Sequence, residues 1–311
     1  MARYRILSLD GGGMRGIFSA TILARIEEML GEPLHKHFDM AAGTSTGGIL
    51  ACGVGAEIPG DELIALYEKH GETIFPPDRW KSRLIRILSQ GPSMPKYDGK
   101  GLEKALKKVF GNTKFGSLKV TPTLAITYDL MGREPVIFKS NREEYADVPV
   151  WEICKATASA PTYFPAHVMK VRKAERPLVD GGVVANNPVL CAIGEAVALK
   201  QKIEDLVVLS IGTGDTKHPI SIEESQEWGL LEWGFHIVGV LFEGPNDANH
   251  YIASNLVQGN GYLRLQTELT GLDSDMDNAD KRQLNGLKAL AEDYVNSRPT
   301  MHAIERFLTL L

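Results

Sequence analysis

The chain is short of several features that would place it at once. In 311 residues it has three cysteines, Cys52, Cys154 and Cys191, too scattered for metal-ligand spacing and unable all to pair. That usage suits a reducing compartment rather than secretion. It has no excess of positive charge: 34 Lys and Arg against 39 Asp and Glu leave a formal charge of -5, so nucleic acid is not an expected partner. No apolar run reaches the roughly 20 residues that a membrane-spanning helix needs. The opening "MARYRILSLD" is broken by Arg3, Arg5, Ser8 and Asp10 and contains no secretory h-region. The expectation is a cytoplasmic protein that meets lipid only by peripheral contact with a membrane surface.

What is present reads as an ordinary globular chain, 43% hydrophobic and 23% charged. With no repeat, low-complexity run or clear linker, one domain over residues 1–311 is expected. Its core motifs fall in 5–215, and a mostly helical part spans 216–311. Tyr4–Leu9 reads as a strand. Phe18, Ile22, Ile26 and Met29 keep a helical period up to Gly31, a C-cap residue. Phe38–Gly43 reads as a buried strand and the small residues after it as a turn and a tightly packed helix. Strand–helix–strand–helix in the first 55 residues is the pattern of a parallel α/β sheet. Further on, Asp61–His70 and Gly99–Phe110 read as surface helices, Pro122–Leu130 and Pro135–Ser140 as paired strands, and Val207–Gly214 as a buried strand. From about Asn278 a long helix is expected, interrupted near Pro299.

Two glycine motifs carry chemistry. "LDGGGMRG" has the spacing Gly11-x-Gly13-x-x-Gly16 of a dinucleotide-binding turn. The acidic residue that such a fold wants at the end of its second strand is missing, because Asp39 lies near that strand's start. The second strand instead runs into "GTSTG", a G-x-S-x-G with a strand before it and a helix after it, the context of a nucleophile elbow. Ser45 is then a candidate nucleophile for acyl transfer. The first loop becomes a cluster of backbone N–H groups for a tetrahedral oxyanion, with Arg15 adding positive charge.

The residue that activates the serine is less obvious. Eight histidines are present, and a Ser–His–Asp arrangement would need one late in the chain. His218, His236, His250 and His302 sit in loops or helical stretches, His35, His37 and His70 read as solvated, and only His167 has an unusual context. The alternative is Asp180 in "PLVDGGVVANNP", a carboxylate at a strand end with two glycines that let the chain turn away. Desolvation would raise its pKa from about 3.9 into the range of a useful base.

Together, "DGGGMRG" (10–16), "GTSTGG" (43–48), "ATASAPTYFPAH" (156–167) and "DGGVVANNP" (180–188) resemble the patatin-like phospholipase family, in order and across the first two-thirds of the chain. "YLRLQTELTG" (262–271) extends the likeness to plant patatins and their bacterial relatives. The resemblance implies a three-layer α/β/α sandwich with a mainly parallel central sheet. It implies hydrolysis of phospholipid acyl esters through a Ser45–Asp180 dyad, without cofactor or metal. It places the oxyanion hole in the backbone of Gly11, Gly12, Gly13 and Met14, with Arg15 in support. Some bacterial relatives wait for a signal, in certain cases a cyclic nucleotide, so a nucleotide activator is compatible with the resemblance. Two other readings stay open: a Ser–His–Asp esterase, and a nucleotide-binding regulatory protein using the glycine loop.

Three stretches bear on lipid and metal. Arg79–Leu88, "RWKSRLIRIL", sets Trp80, Leu84, Ile87 and Leu88 on one helical face and arginines on another, which suits an anionic bilayer surface or a helix packed on the core. Trp228–Phe242 is apolar but too short to span a bilayer, and is expected to line or cover an acyl pocket or to be a buried helix. Asp273, Asp275 and Asp277 have the opening spacing of an EF-hand, but Asn278 and Leu284 stand where its glycine and closing glutamate belong, so a solvated acidic loop is expected.

Overall fold

The computed structural model describes residues 3–77, 94–215 and 221–311. In chain order the strands are β1 (Tyr4–Leu9), β2 (Met40–Thr44), β3 (Thr123–Asp129), β4 (Glu134–Lys139), β5 (His167–Val171), β6 (Ala174–Asp180), β7 (Leu206–Ile211) and β8 (Tyr262–Leu265). They make one sheet in the order β5-β6-β3-β2-β1-β7-β8, with β4 paired along β3 as well. The run β3-β2-β1-β7-β8 is parallel, and β4, β5 and β6 are antiparallel additions at one side.

Strand side chains alternate between two faces, and both faces are buried. Leu7, Leu9, Ala41, Leu209 and Ile211 join one core, shared with α1 (Gly16–Leu30), α2 (Thr46–Gly55), α3 (Gly60–Ile74) and the helix Lys281–Asn296. Ile6, Met40, Ala42, Leu124 and Val208 join a second core, shared with the helix Val189–Ala198 and with Ala253 of the helix Leu230–Leu256. Helices thus cover both faces of a mainly parallel sheet, the three-layer arrangement expected. The helix α1 stops where Gly31 adopts φ 67 and returns its N–H to Glu27 O.

Several elements differ from the sequence reading. The strands β5 and β8 have no strong sequence signal, and β8 brings the mostly helical C-terminal part into the sheet. The helix α3 runs on to Ile74 and buries Leu63, Leu66 and Tyr67, so it is a core helix rather than a surface one. Near the C-terminus the chain breaks at Ser297, with Pro299 in the first turn of the helix Arg298–Leu308. Most of Trp228–Phe242 lies in the helix Leu230–Leu256. The basic stretch Arg79–Leu88 lies outside the described residues.

Register positions the site. The ends of β1 and β2 are adjacent, with Leu9 opposite Gly43, so the glycine loop and the serine turn emerge side by side. On β3, Ile126 pairs with Thr44 and the next residue, Thr127, pairs with Asp180. The antiparallel β6 therefore ends just beyond the point where β2 turns away. All three segments meet at the carboxyl ends of the parallel strands, where open α/β sheets bind their ligands.

Candidate active site

Ser45 sits between β2 and α2 with φ 55 and ψ -125, a positive φ that a residue with a side chain adopts only under constraint. The constraint is packing. A Cβ on Gly43 would lie 2.0 Å from Gly47 O, and one on Gly47 would lie 2.1 Å from Leu9 O. Only glycine at both positions lets the turn close this tightly, which is the geometric content of G-x-S-x-G. The Ser45 side chain is consequently held at the start of α2, where the first-turn N–H groups favour negative charge.

Asp180 is the last residue of β6 and is completely buried. Its Oδ1 accepts a hydrogen bond from Gly182 N at 2.7 Å, and its Oδ2 is buried without a hydrogen-bond partner. Burial pushes the carboxyl up to about 7, against the opposite pull of the neighbouring Ser45 hydroxyl and of the Gly182 N–H. The serine and the aspartate line the same cleft, with the Ser45 hydroxyl near enough to the carboxyl to act on it.

The glycine loop lies against the serine: a Cβ on Gly11 would be 3.2 Å from Ser45 Cβ. Its backbone donors are not equivalent. Gly11 N donates to Asn186 O at 3.0 Å, Met14 N to Met276 O at 2.7 Å and Arg15 N to Gly12 O at 3.2 Å. Among the described residues no group accepts from the N–H of Gly12 or of Gly13. Gly13 has φ 58, and a Cβ there would meet Met276 O at 2.2 Å, so the loop is pressed flat under the segment around Met276. Arg15 is buried beside the loop, and its charge reaches Tyr163 on the cleft wall.

The cleft is partly open to solvent, and its walls are almost wholly apolar. Beyond Ser45 and Asp180 it is lined by side chains such as Ile49, Leu66, Phe75, Leu102, Phe164 and Phe242. On its wall Thr46 and Tyr67 satisfy each other through a 2.5 Å hydrogen bond between their hydroxyls. The ring of Phe242 packs on Gly182, where an added Cβ would lie 2.3 Å from its Cε1.

The other residues singled out in the sequence lie elsewhere. No histidine lines the cleft among the described residues. His167 faces Glu152, with Nε2 3.6 Å from the carboxylate. Asp39 is gripped by Arg5 through two side-chain hydrogen bonds of 2.9 Å. In the acidic stretch, Asp273 takes the Asn278 amide at 2.8 Å, and Asp277 takes Lys96 and the Tyr97 hydroxyl at 2.6 Å each. Among the described residues no three His, Cys, Asp or Glu are grouped to hold a metal ion, and no helix is long and apolar enough to cross a membrane.

Sequence reasoning assigns no role to Arg264, Thr157 or Met276, although each touches the site. Arg264 grips Asp10 at the head of the glycine loop, Thr157 bonds the Ser45 backbone, and Met276 caps Met14 N. No local pattern points any of them at the serine, because each acts across the fold.

A family model for patatin-like phospholipases matches residues 7–193. Patatin-like protein 1 of Arabidopsis thaliana is 33% identical over 342 aligned residues, covering 94% of this chain and 81% of its own. Patatin-T5 of Solanum tuberosum is 31% identical, covering 98% of this chain and 89% of its own. Among solved structures, human GIVD cytosolic phospholipase A2 in complex with methyl gamma-linolenyl fluorophosphonate is similar with a TM-score of 0.46 and 12% identity, over 99% of this chain and 59% of that one. The glycine loop, the serine elbow and the strand-end aspartate thus lie inside a matched region, and the chain belongs to the patatin-like phospholipase family.

Proposed function

We propose that the protein is a lipid acyl hydrolase of the phospholipase A type, with Ser45 as nucleophile and Asp180 as its base. The observation that carries this reading is the state of Asp180: fully buried, its carboxyl pushed up to about 7, and beside the serine in an apolar cleft. A carboxylate of ordinary pKa is a poor base at neutral pH, whereas one poised near 7 matches the task.

The reaction runs in two halves. Asp180 accepts the Ser45 proton as Oγ attacks the ester carbonyl. The oxyanion is stabilised by the N–H groups of Gly12 and Gly13, the two donors of the loop that no group among the described residues uses. The alcohol departs with the proton from Asp180, leaving the acyl group on Ser45 and its chain among Leu66, Phe75 and Phe164. Water, deprotonated by Asp180, then releases the fatty acid. In this reading residues 1–311 act as one catalytic unit that works on phospholipid at a membrane surface.

The apolar cleft wall favours a lipid over a nucleotide, which would need polar partners for base and ribose. The absence of a histidine among the described cleft residues favours the dyad over a Ser–His–Asp triad. The test is release of fatty acid from mixed phospholipid vesicles by the wild type, Ser45→Ala and Asp180→Asn. Release by the wild type alone supports the dyad. Full activity of Asp180→Asn would move the base elsewhere, and NAD or ATP binding by a protein inert toward lipid would restore the nucleotide reading.

A further inference from the structure

The motif "ATASAPTYFPAH" is part of the family likeness, but in the reaction proposed above only its Phe164 has a place, as a wall of the cleft. Its first residues occupy an unusual place in the fold. The helix Val150–Thr157 ends beneath the serine turn, and the chain then passes along the cleft wall through Ala158 to Ser159. Within these three residues lie hydrogen bonds to both members of the dyad. Ser45 N donates to Thr157 Oγ1 at 2.9 Å, and Asp180 N donates to Ser159 O at 3.0 Å.

The Thr157 hydroxyl is itself fixed. It is fully buried and donates to Ile126 O at 2.5 Å, so its lone pair is aimed at Ser45 N. Ile126 O is also the atom that a Cβ on Gly181 would strike at 2.2 Å, so the same carbonyl abuts the residue after Asp180. The Thr157 methyl is close-packed as well: a Cβ on Gly48, in the first turn of α2, would lie 2.8 Å from it. The serine elbow, with its positive φ, is thus pinned on one side by its glycines and on the other by a single hydroxyl.

We infer that Thr157–Ser159 is a strut that sets the distance between nucleophile and base, and that Thr157 is a positioning residue for Ser45. The inference rests on the Ser45–Asp180 reading. Thr157 touches no reacting atom; it acts by holding Ser45 N, and through it the direction in which Oγ points. A side chain that holds a nucleophile near its attack geometry affects the rate far more than it affects binding, because small misplacements are costly. Thr157→Val keeps the shape and the buried methyl but leaves Ser45 N and Ile126 O without their partner. Thr157→Ser keeps the hydroxyl and loses only the methyl.

The experiment uses a long-chain fluorophosphonate as an active-site probe, with fatty-acid release from phosphatidylcholine vesicles measured beside it. Thr157→Val is expected to lower kcat and the labelling rate by about tenfold or more, with KM within about twofold of wild type, and Thr157→Ser to recover most of the loss. A second readout separates positioning from loss of fold. The Ser45 hydroxyl pulls the Asp180 pKa down, so a displaced serine shifts the acidic limb of the kcat/KM profile to higher pH. A purely structural defect lowers the amount of active protein and leaves that limb where it was. Thr157→Ala serves in place of valine if the latter does not fold. A folded Thr157→Val or Thr157→Ala that labels at the wild-type rate with an unmoved limb overturns the inference. Labelling that persists in Ser45→Ala would overturn the dyad itself, a distinct result that removes the basis of the strut as well.

Discussion

Arg264 holds Asp10 with both terminal guanidinium nitrogens, at 2.5 and 3.0 Å; the aspartate is buried and the arginine largely so. The arginine comes from β8 at the end of the parallel run, and the aspartate is the first residue of the glycine loop. A third hydrogen bond, from Arg264 to Ser210 Oγ at 2.8 Å, ties the pair to β7. A strand with little sequence signal of its own therefore anchors the loop proposed to receive the oxyanion.

Arg264→Met is expected to destabilise the protein by about 3–5 kcal/mol, because it leaves a buried carboxylate without its counter-charge. Denaturant unfolding followed by circular dichroism measures this. The double variant Arg264→Met/Asp10→Asn should recover a large part of the loss. A single variant as stable as the wild type would show that the pair does not anchor the loop.

The pH dependence of catalysis follows from Asp180. As the proposed base it works only when ionised, so kcat/KM should rise with pH through about 7, where burial has placed this carboxyl. Asp180→Asn and Ser45→Ala should each lose on the order of a thousandfold or more in rate while remaining folded. A limb near pH 4 in the wild type would mean that an ordinary, solvated carboxylate is the base.

The same carboxyl has a signed effect on stability. Its folded pKa lies above its unfolded one, so between about pH 4 and pH 7 the unfolded chain has released a proton that the folded protein still holds. Stability is thus lost as pH rises across that window, by about 4 kcal/mol in total from this group. Asp180→Asn should gain stability relative to the wild type as pH goes from 4 to 8. Thermal melts at the two ends of the range check it; parallel curves would show that Asp180 is not desolvated.

Gly13→Ala tests the glycine loop. The residue has φ 58, and the new methyl would meet Met276 O, a backbone atom, at 2.2 Å. A loss of about 1–3 kcal/mol is expected from the strain. Displacing the neighbouring donors should also cost on the order of a hundredfold in kcat. An alanine variant with wild-type kcat would separate this loop from the oxyanion.

Some of this was legible in the residues. Tyr4–Leu9 matches β1 end for end, and α1 closes at Gly31 as its spacing implies, because the signals for both are local. Gly43 and Gly47 mark the serine turn because only hydrogen fits there: a Cβ on Gly43 would lie 2.0 Å from Gly47 O within the turn, and one on Gly47 would lie 2.1 Å from Leu9 O of the neighbouring strand. Where signals were local but the surroundings were not, the reading fell short. The helix α3 reads as a surface helix from its charges, yet it buries Leu66 and Tyr67 in the cleft wall. The strands β5 and β8 are short and weakly patterned, and pairing with neighbours rather than propensity makes them strands.

The sequence by itself determined the chemistry available: a serine in a turn that must be tight, a run of glycines able to bare their N–H groups, and an aspartate at a strand end. Only the tertiary structure decided how these groups behave. It gave acceptors to the N–H groups of Gly11, Met14 and Arg15 and, among the described residues, none to those of Gly12 and Gly13. It raised Asp180 by enclosing it, and brought Arg264 and Thr157 to the site from distant strands and helices. A pKa and a hydrogen-bond partner are properties of surroundings, and the surroundings here are built from segments that meet only when the sheet forms.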